Sequence, residues 1–594
     1  MTDHIEKKCD VLIIGASLAG SCLARQLRLK MPDLNIVVID KKTNFDYWVG
    51  EATVPPWVDY ASRHCGLGPY LAKTAMLKHG IRYFYDSEKK DLPLWELSEF
   101  GRREYPVITS YQLDRSVFDR DLCEMNREIG IEVMLGTALS SGNAGKAANV
   151  GNDDANSQIV IDPKGGHLVQ TTAGPIRCRW LVDATGMRAV LPQQLGLMEA
   201  DWKQAPSSAY WGRYEGANNI DRLGPEEWRR RVGFSERNLS TNSYMYRGYW
   251  IWHIPVTEKI SSIGVCVDDK MTPLVLKNAD ELTSFFREHR CLRDILGEKS
   301  EPLDFLGLKR MARHTREFCS VDRWFVTGMS ASFIDPLFSS NTMTIAALNL
   351  LIGSVIEADR AGNEDIVRTR VDHFNAYFRA FHETNMRALD YRAQGCFEGW
   401  APFRMAMLNF IVNRAAPEYY RDLRDIIAFA DKNVGRPAIT DQDLSRMTRG
   451  GYSGAIIRLK DEHIDFLDQH GRFYELNAGN FLEGGERGGA RRNLWNDFSG
   501  TTMIERAEED LISYEALMRH YVSRRAEILQ IPWSDEAFVA TFKRDFRSGQ
   551  SAEEIVRAMG SRRETSGEGG GAPTKNLWSP KGPPDPNEPG WTRP

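Results

Sequence analysis

Val11-Leu12-Ile13-Ile14-Gly15-Ala16-Ser17-Leu18-Ala19-Gly20 is the stretch whose reading decides the fold. An apolar run enters a glycine turn and a segment with helical character follows. A second apolar run, Ile36-Val37-Val38-Ile39, then ends on Asp40. Strand, glycine turn, helix, strand and acid in that order make a dinucleotide-binding βαβ unit. Gly15 permits the tight turn, the small Ser17 lets backbone N–H groups approach a pyrophosphate, and Gly20 lets the helix pack on the strand. Asp40 lies twenty residues past Gly20, where a ribose hydroxyl needs an acceptor. Glycines also mark ordinary turns, so the pattern is informative because both strands, the helix and the acid accompany it. Ser17 stands where the pattern has glycine, a departure that keeps the side chain small.

The composition sets the class around this unit. With 594 residues, 42% hydrophobic and 26% charged, the chain reads as a globular protein with room for a large core and a second unit. A net charge of -5 gives no electrostatic footprint for nucleic acid. Nine dispersed cysteines without a CxxC fit reduced thiols in a cytoplasm, and no metal site is expected. No uninterrupted apolar stretch reaches the ~18 residues of a membrane span, and the charged N-terminus lacks a signal-peptide core.

Strands and helices alternate to about residue 355, which implies an α/β nucleotide domain with an inserted sheet. Helical spacing then dominates to about residue 560. The expected division is a catalytic region over 1–395, a helical domain over 396–560 and a disordered Gly- and Pro-rich tail over 561–594. Residues 140–158 read as a long surface loop, and 484–493 as a flexible basic turn.

Two later segments end apolar strands in small, glycine-terminated turns. One is Trp180-Leu181-Val182-Asp183-Ala184-Thr185-Gly186; the other is Trp324-Phe325-Val326-Thr327-Gly328, followed by Phe333-Ile334-Asp335-Pro336-Leu337. Each alone would pass for a core strand. With the first unit they resemble the three FAD-contacting segments of the glutathione-reductase-type flavoprotein monooxygenases. Tyr111-Gln112-Leu113-Asp114-Arg115 resembles that family's element in which an arginine contacts FAD, which implies the role for Arg115. Met329 replaces the family's usual acid after the third glycine.

Four further matches, in family order, narrow the resemblance to the flavin-dependent tryptophan halogenase-like group. Gly50-Glu51-Ala52-Thr53-Val54-Pro55 resembles its strap near the flavin, and the segment Ala75–Tyr83 resembles the one carrying an active-site lysine, here Lys78. Trp250-Ile251-Trp252-His253-Ile254-Pro255 is similar to its WxWxIP signature, although Tyr249 separates Gly248 from the first tryptophan. Phe333 to Ser340 resembles its proline turn. The resemblance covers about residues 8–390. It implies a Rossmann-like FAD domain of the glutathione-reductase type, with Gly15, Ser17, Gly20, Asp40, Glu51, Ala52, Thr53, Arg115, Asp183, Gly186, Gly328, Asp335 and Pro336 around FAD.

The same resemblance implies chemistry through a flavin C4a-hydroperoxide formed from reduced FAD and O2, with a separate flavin reductase as partner. Lys78 would orient or carry the electrophile, and burial among Met76, Ile81 and Phe84 would lower its pKa. Trp250 and Trp252, two apart on a strand, would face one side between flavin and substrate, with Pro255 ending the strand. Phe338 stands where free-tryptophan halogenases carry a glutamate. Ser340-Asn341 stands where the family binds halide on a Ser/Thr-Gly pair, and Asn adopts unusual backbone angles less readily than Gly. Two functions stay open: halogenation of an indole, phenol or pyrrole, and hydroxylation of an aromatic such as a tryptophan within a protein for a quinone cofactor. The substrate is expected free or on a carrier, peptide or protein.

Overall fold

The computed structural model describes residues 6–101, 110–140, 158–201, 206–389, 426–428 and 430–434. Most of the loop expected over 140–158, nearly all of the helical domain expected over 396–560, the basic turn and the tail lie outside the described residues.

Strand β1 (Lys7–Ile14) is continuously buried from Val11 to Ile14, and β2 (Ile36–Asp40) from Ile36 to Ile39. Such runs, rather than alternation, mark parallel strands covered on both faces. Helix α1 (Leu18–Lys30) joins them. With β6 (Glu132–Leu135) beyond β2, and β7 (Gly174–Asp183) and β12 (Trp324–Val326) beyond β1, they form the parallel part of a seven-stranded sheet. The ten-residue β7 serves two partners on its outer edge. Its first half pairs antiparallel with His167–Thr171, and its second half runs parallel to β12. Val11, Val37, Leu181 and Phe325 belong to the core of this layer, each fully buried. Fully burying each such side chain contributes about 1.5–3 kcal/mol.

The inserted sheet has eight strands. Its centre is the antiparallel run β8 (Ser207–Glu215), β11 (Ile260–Asp268), β10 (Tyr249–Pro255) and β9 (Thr241–Tyr246), with β4 (Ile81–Tyr85) parallel to β9. Short β3 (Met76–Lys78), just before β4, pairs instead with β5 (Ser110–Gln112). Helix α2 (Arg115–Glu128) starts at once after β5, capped by the Asp114 carboxylate on the Ser116 N–H.

Helix α3 (Ser340–Arg360) returns to the first sheet, where Gln26 Nε2 donates to the Asn349 carbonyl and Asn349 Nδ2 donates to that of Ala19. It is long and apolar enough to cross a membrane, although Asn349 and other polar residues interrupt its apolar run. Of its most apolar window, 83% is buried within the fold, as in a core helix. Helix α4 (Glu364–Leu389) packs beside it.

Candidate active site

The glycine turn is shaped first by its neighbouring strand. Gly15 has φ +120°, and a Cβ there would lie 2.3 Å from the Ala184 carbonyl oxygen, just past β7. Backbone therefore already excludes a side chain at this turn. A Cβ on Gly20 would lie 2.1 Å from the Gly15 carbonyl oxygen, so α1 can start this close only with glycine. Ser17 occupies the N-cap of α1 without capping it. Its hydroxyl donates to Asp119 Oδ2 at 2.7 Å and accepts from Arg115 Nη2 at 2.7 Å. The first turn of α1 therefore keeps backbone N–H groups without a side-chain cap, the arrangement that receives an anion. Asp40 grips the turn, its carboxylate accepting from the Ala16 and Lys42 N–H groups at 2.9 Å each.

Arg115 ties this turn to the strap. Nε and Nη2 donate to the Asp119 carboxylate, Nη2 also to Ser17, and Nη1 to the carbonyls of Val49 and Gly50 at 3.2 and 3.5 Å. A fork of five fixed donors fits this task, and a lysine would not. Arg115 thus braces the walls of the cradle in which the resemblance places FAD. Asp183 is fully buried, and burial raises its carboxyl above the usual range although the Thr185 and Leu191 N–H groups and the Ser330 hydroxyl donate to it. Gly186, at φ +65°, faces open space, whereas a Cβ on Gly328 would lie 2.8 Å from Ala19 Cβ.

Across the strap, Thr53 is held against β5 by bonds in both directions with Tyr111. Its carbonyl accepts from Lys78 Nζ at 2.9 Å, and Lys78 is 2% exposed. The expected burial of Lys78 is present, but Phe84 takes no part in it: alternation along β4 sends Phe84 into a separate cluster with Tyr244, while Tyr83 joins Ala52. That second cluster unites Ala52 with Trp211, Trp250, Trp252, Leu337 and Phe338. Trp250 and Trp252 lie 5.6 Å apart by ring centroid, and Trp252 Nε1 donates to Ser262 Oγ at 3.2 Å. Pro255 is the last residue of its strand. Glu51 is buried and paired with Arg213 at 3.2 Å, so its carboxylate is held by β8.

Asp335 turns inward, accepting from the Leu337 N–H at 2.9 Å, and Pro336 follows in the turn that places Phe338. The unusual backbone falls on Ser339 (φ 54°), not on Asn341 as the sequence suggested, because Ser340 and Asn341 are already in the first turn of α3. Asn341 Oδ1 is buried with no partner among the described residues.

Sequence reading missed two residues. Gly264 lies opposite Trp252 in β11, and a Cβ there would meet the indole at 2.2 Å. The strand pattern carried no mark of this close approach. Gln112, on the strand facing Met76, is fully buried with both ends of its amide unpartnered among the described residues. An uncapped helix start at the carboxyl ends of parallel strands, open space at Gly186 and an orphaned buried amide beside the strap together fit an FAD-sized cofactor.

No family model matches the chain. It is 25% identical over 407 residues to the flavin-dependent halogenase chlA of Dictyostelium discoideum, covering 65% of this chain and 66% of that one. It is 24% identical over 395 residues to the 1H-pyrrole-2-carbonyl-[peptidyl-carrier protein] chlorinase of Pseudomonas fluorescens, covering 64% and 81%. A match to the tetracycline 7-halogenase of Kitasatospora aureofaciens is 28% identical and covers 58% and 63%. Among solved structures, the halogenase PltM superposes with a TM-score of 0.55 at 17% identity, covering 86% of this chain and 96% of PltM. The flavin-dependent brominase Bmp2 gives 0.54 at 19%, covering 77% and 100%. By sequence the chain is similar to flavin-dependent halogenases, and it shares the fold of solved ones.

Proposed function

We propose that the chain is an FAD-dependent oxidoreductase that modifies an electron-rich aromatic substrate, with halogenation as the reaction. One observation carries this reading: the strap 49–53 is held on one side by Arg115, which also holds the glycine turn, and on the other by Lys78 and the Trp250–Trp252 cluster. Cofactor cradle and tryptophan cluster thus share a wall.

Reduced FAD, with oxygen, supplies the oxidising power when bound. Around it, the uncapped start of α1 would hold the pyrophosphate, while Asp40 and Arg115 keep the turn in shape. Trp250, Trp252 and Phe338 exclude water and present an apolar, ring-shaped surface to a flat substrate. Lys78, held to the strap by its bond to the Thr53 carbonyl, would orient the electrophile. Phe338 removes the acid that resemblance associates with free tryptophan, which favours a phenol or pyrrole. The chlorinase relative acts on a pyrrole carried by a peptidyl-carrier protein. A carrier-borne substrate docking on residues 396–560 fits that precedent. A separate reductase would supply the reduced flavin.

Hydroxylation is the second reading, and one observation favours it. Asn341 presents a buried amide oxygen where the resemblance puts halide, and an acceptor oxygen repels an anion. The test is product mass from chemically reduced FAD, oxygen and a panel of phenols and pyrroles, free and carrier-linked, with chloride or bromide. Mass gains of one halogen support halogenation; gains of one oxygen in both salts transfer the assignment to hydroxylation. Lys78→Ala is expected to retain FAD and lose product by at least 100-fold. Unchanged turnover in that variant would refute its role.

A further inference from the structure

Away from the cradle, Asp201, His314 and His382 converge from three parts of the chain. Asp201 follows the strand Met198–Glu199, His314 lies in the strand Arg313–Thr315 and His382 lies on α4. Asp201 Oδ2 is 2.8 Å from His314 Nδ1 and 3.0 Å from His382 Nε2, and the three ligand atoms all lie within 4.8 Å of one another. The two imidazoles stack with centroids 4.0 Å apart.

We propose that Asp201, His314 and His382 bind a divalent transition metal, zinc being the expected occupant, and that the ion clasps α4 to the three-stranded sheet of Met198–Glu199, Arg313–Thr315 and Ser332–Phe333. Two imidazoles and one carboxylate are a zinc donor set. Bonds of about 2.0–2.2 Å in a tetrahedron separate ligand atoms by about 3.3 Å. The carboxylate-to-imidazole separations need to open by a few tenths of an ångström, and the two imidazole nitrogens, within 4.8 Å of each other, need to converge as the stacked rings rotate apart about their side-chain torsions.

His382 Nδ1 lies 2.8 Å from Ser332 Oγ, an outer contact that fixes the ring and leaves Nε2 for the ion. The Asp201 and His314 side chains keep 12% and 18% exposure, which gives an entry path and a fourth position for water. The sequence reading expected no metal; the three ligands share no local spacing, His314 and His382 lying 113 and 181 residues from Asp201 along the chain.

The consequence is positional. Ser332 opens the segment Ser332–Phe333 that runs into the Asp335-Pro336 turn, so the clasp would steady that turn without touching a substrate.

The full-length protein, stripped with EDTA and dialysed, is titrated with zinc chloride by calorimetry, with metal content checked by mass spectrometry. One equivalent binding at micromolar or tighter affinity is expected, with a rise in melting temperature. His314→Ala and His382→Ala should each weaken binding at least 100-fold, and Ser332→Ala by about tenfold. Asp201→Asn keeps the volume, and carries the test if either alanine variant fails to fold. No saturable zinc binding by the intact protein would overturn the proposal. So would binding that survives unchanged in folded Asp201→Asn or His314→Ala, since the zinc would then lie elsewhere.

Discussion

Replacing Gly264 by alanine tests how the tryptophan wall is set. The added Cβ would lie 2.2 Å from Trp252 Cζ2, 2.5 Å from Trp252 Cε2 and 2.5 Å from Trp211 Cβ. None of these atoms is the tip of a flexible side chain, so the indole must rotate or the strands must part. Overpacking a filled core costs about 1–3 kcal/mol. Moving the indole also breaks the Trp252 Nε1–Ser262 Oγ hydrogen bond, worth about 0.5–1.5 kcal/mol. The sum is about 1.5–4.5 kcal/mol, read as a lower urea midpoint at unchanged slope. FAD content should hold, because the clash is on the substrate side of the strap, while turnover should drop by about 100-fold from misplacement of the wall. The control is Gly264→Ala with Trp252→Phe. Phenylalanine lacks the indole atoms that clash, so the double variant should be less damaged than the two single losses added together. Additive losses, or a Gly264→Ala midpoint within error of the parent, would refute the account of the close approach.

Gly186→Ala meets no atom within 4 Å, so its stability cost is limited to about 1–2 kcal/mol for left-handed backbone, but its FAD content should fall if that space receives the cofactor. Full FAD occupancy would remove Gly186 from the cradle. Arg115→Lys cannot reproduce the fork to Asp119, Ser17 and the strap carbonyls, so it should lose about 3–5 kcal/mol and most bound FAD; absorbance of the purified variant decides. Burial pushes the His253 and His289 imidazoles down to about 3 from 6.5. Between those values the unfolded chain binds protons that the native chain refuses, so stability is full above pH 6.5 and falls on acidification. The slope approaches 1.4 kcal/mol per pH unit for each histidine. Urea midpoints at pH 7, 6 and 5 should fall accordingly, and His289→Gln should flatten the trend; an unchanged slope would contradict it.

The parallel half of the fold was legible because burial on both faces leaves continuous apolar runs, and because a pyrophosphate turn requires glycine at fixed spacing. Val11 to Gly20 and Ile36 to Asp40 therefore sit where their pattern put them. What Arg115 does was not legible, since its partners Ser17 and Val49 come from distant segments and a guanidinium has no local signature. The left-handed backbone at Ser339 was read two residues late, at Asn341, because the helix start had no capping signal. Gly264 and the Asp201–His314–His382 trio are products of tertiary contact alone. Periodicity did identify the face shared by Trp250 and Trp252, but not what stands opposite them.

The two-partner edge of β7 has a consequence in time. The glycine turn lies within the first 20 residues, yet its floor is completed by Leu181 pairing with Trp324, and its helix is pinned by Asn349 to Ala19. A chain emerging from the ribosome can close the His167–Thr171 hairpin on the first half of β7 at once, and can build the inserted sheet from residues 207–268 soon after. The nucleotide cradle must wait through more than 300 residues of synthesis, with half an edge of β7 open to wrong partners. Cofactor capture is thereby a late event in the life of the nascent chain, and any fragment ending before α3 is expected to carry the fingerprint without the ability to bind.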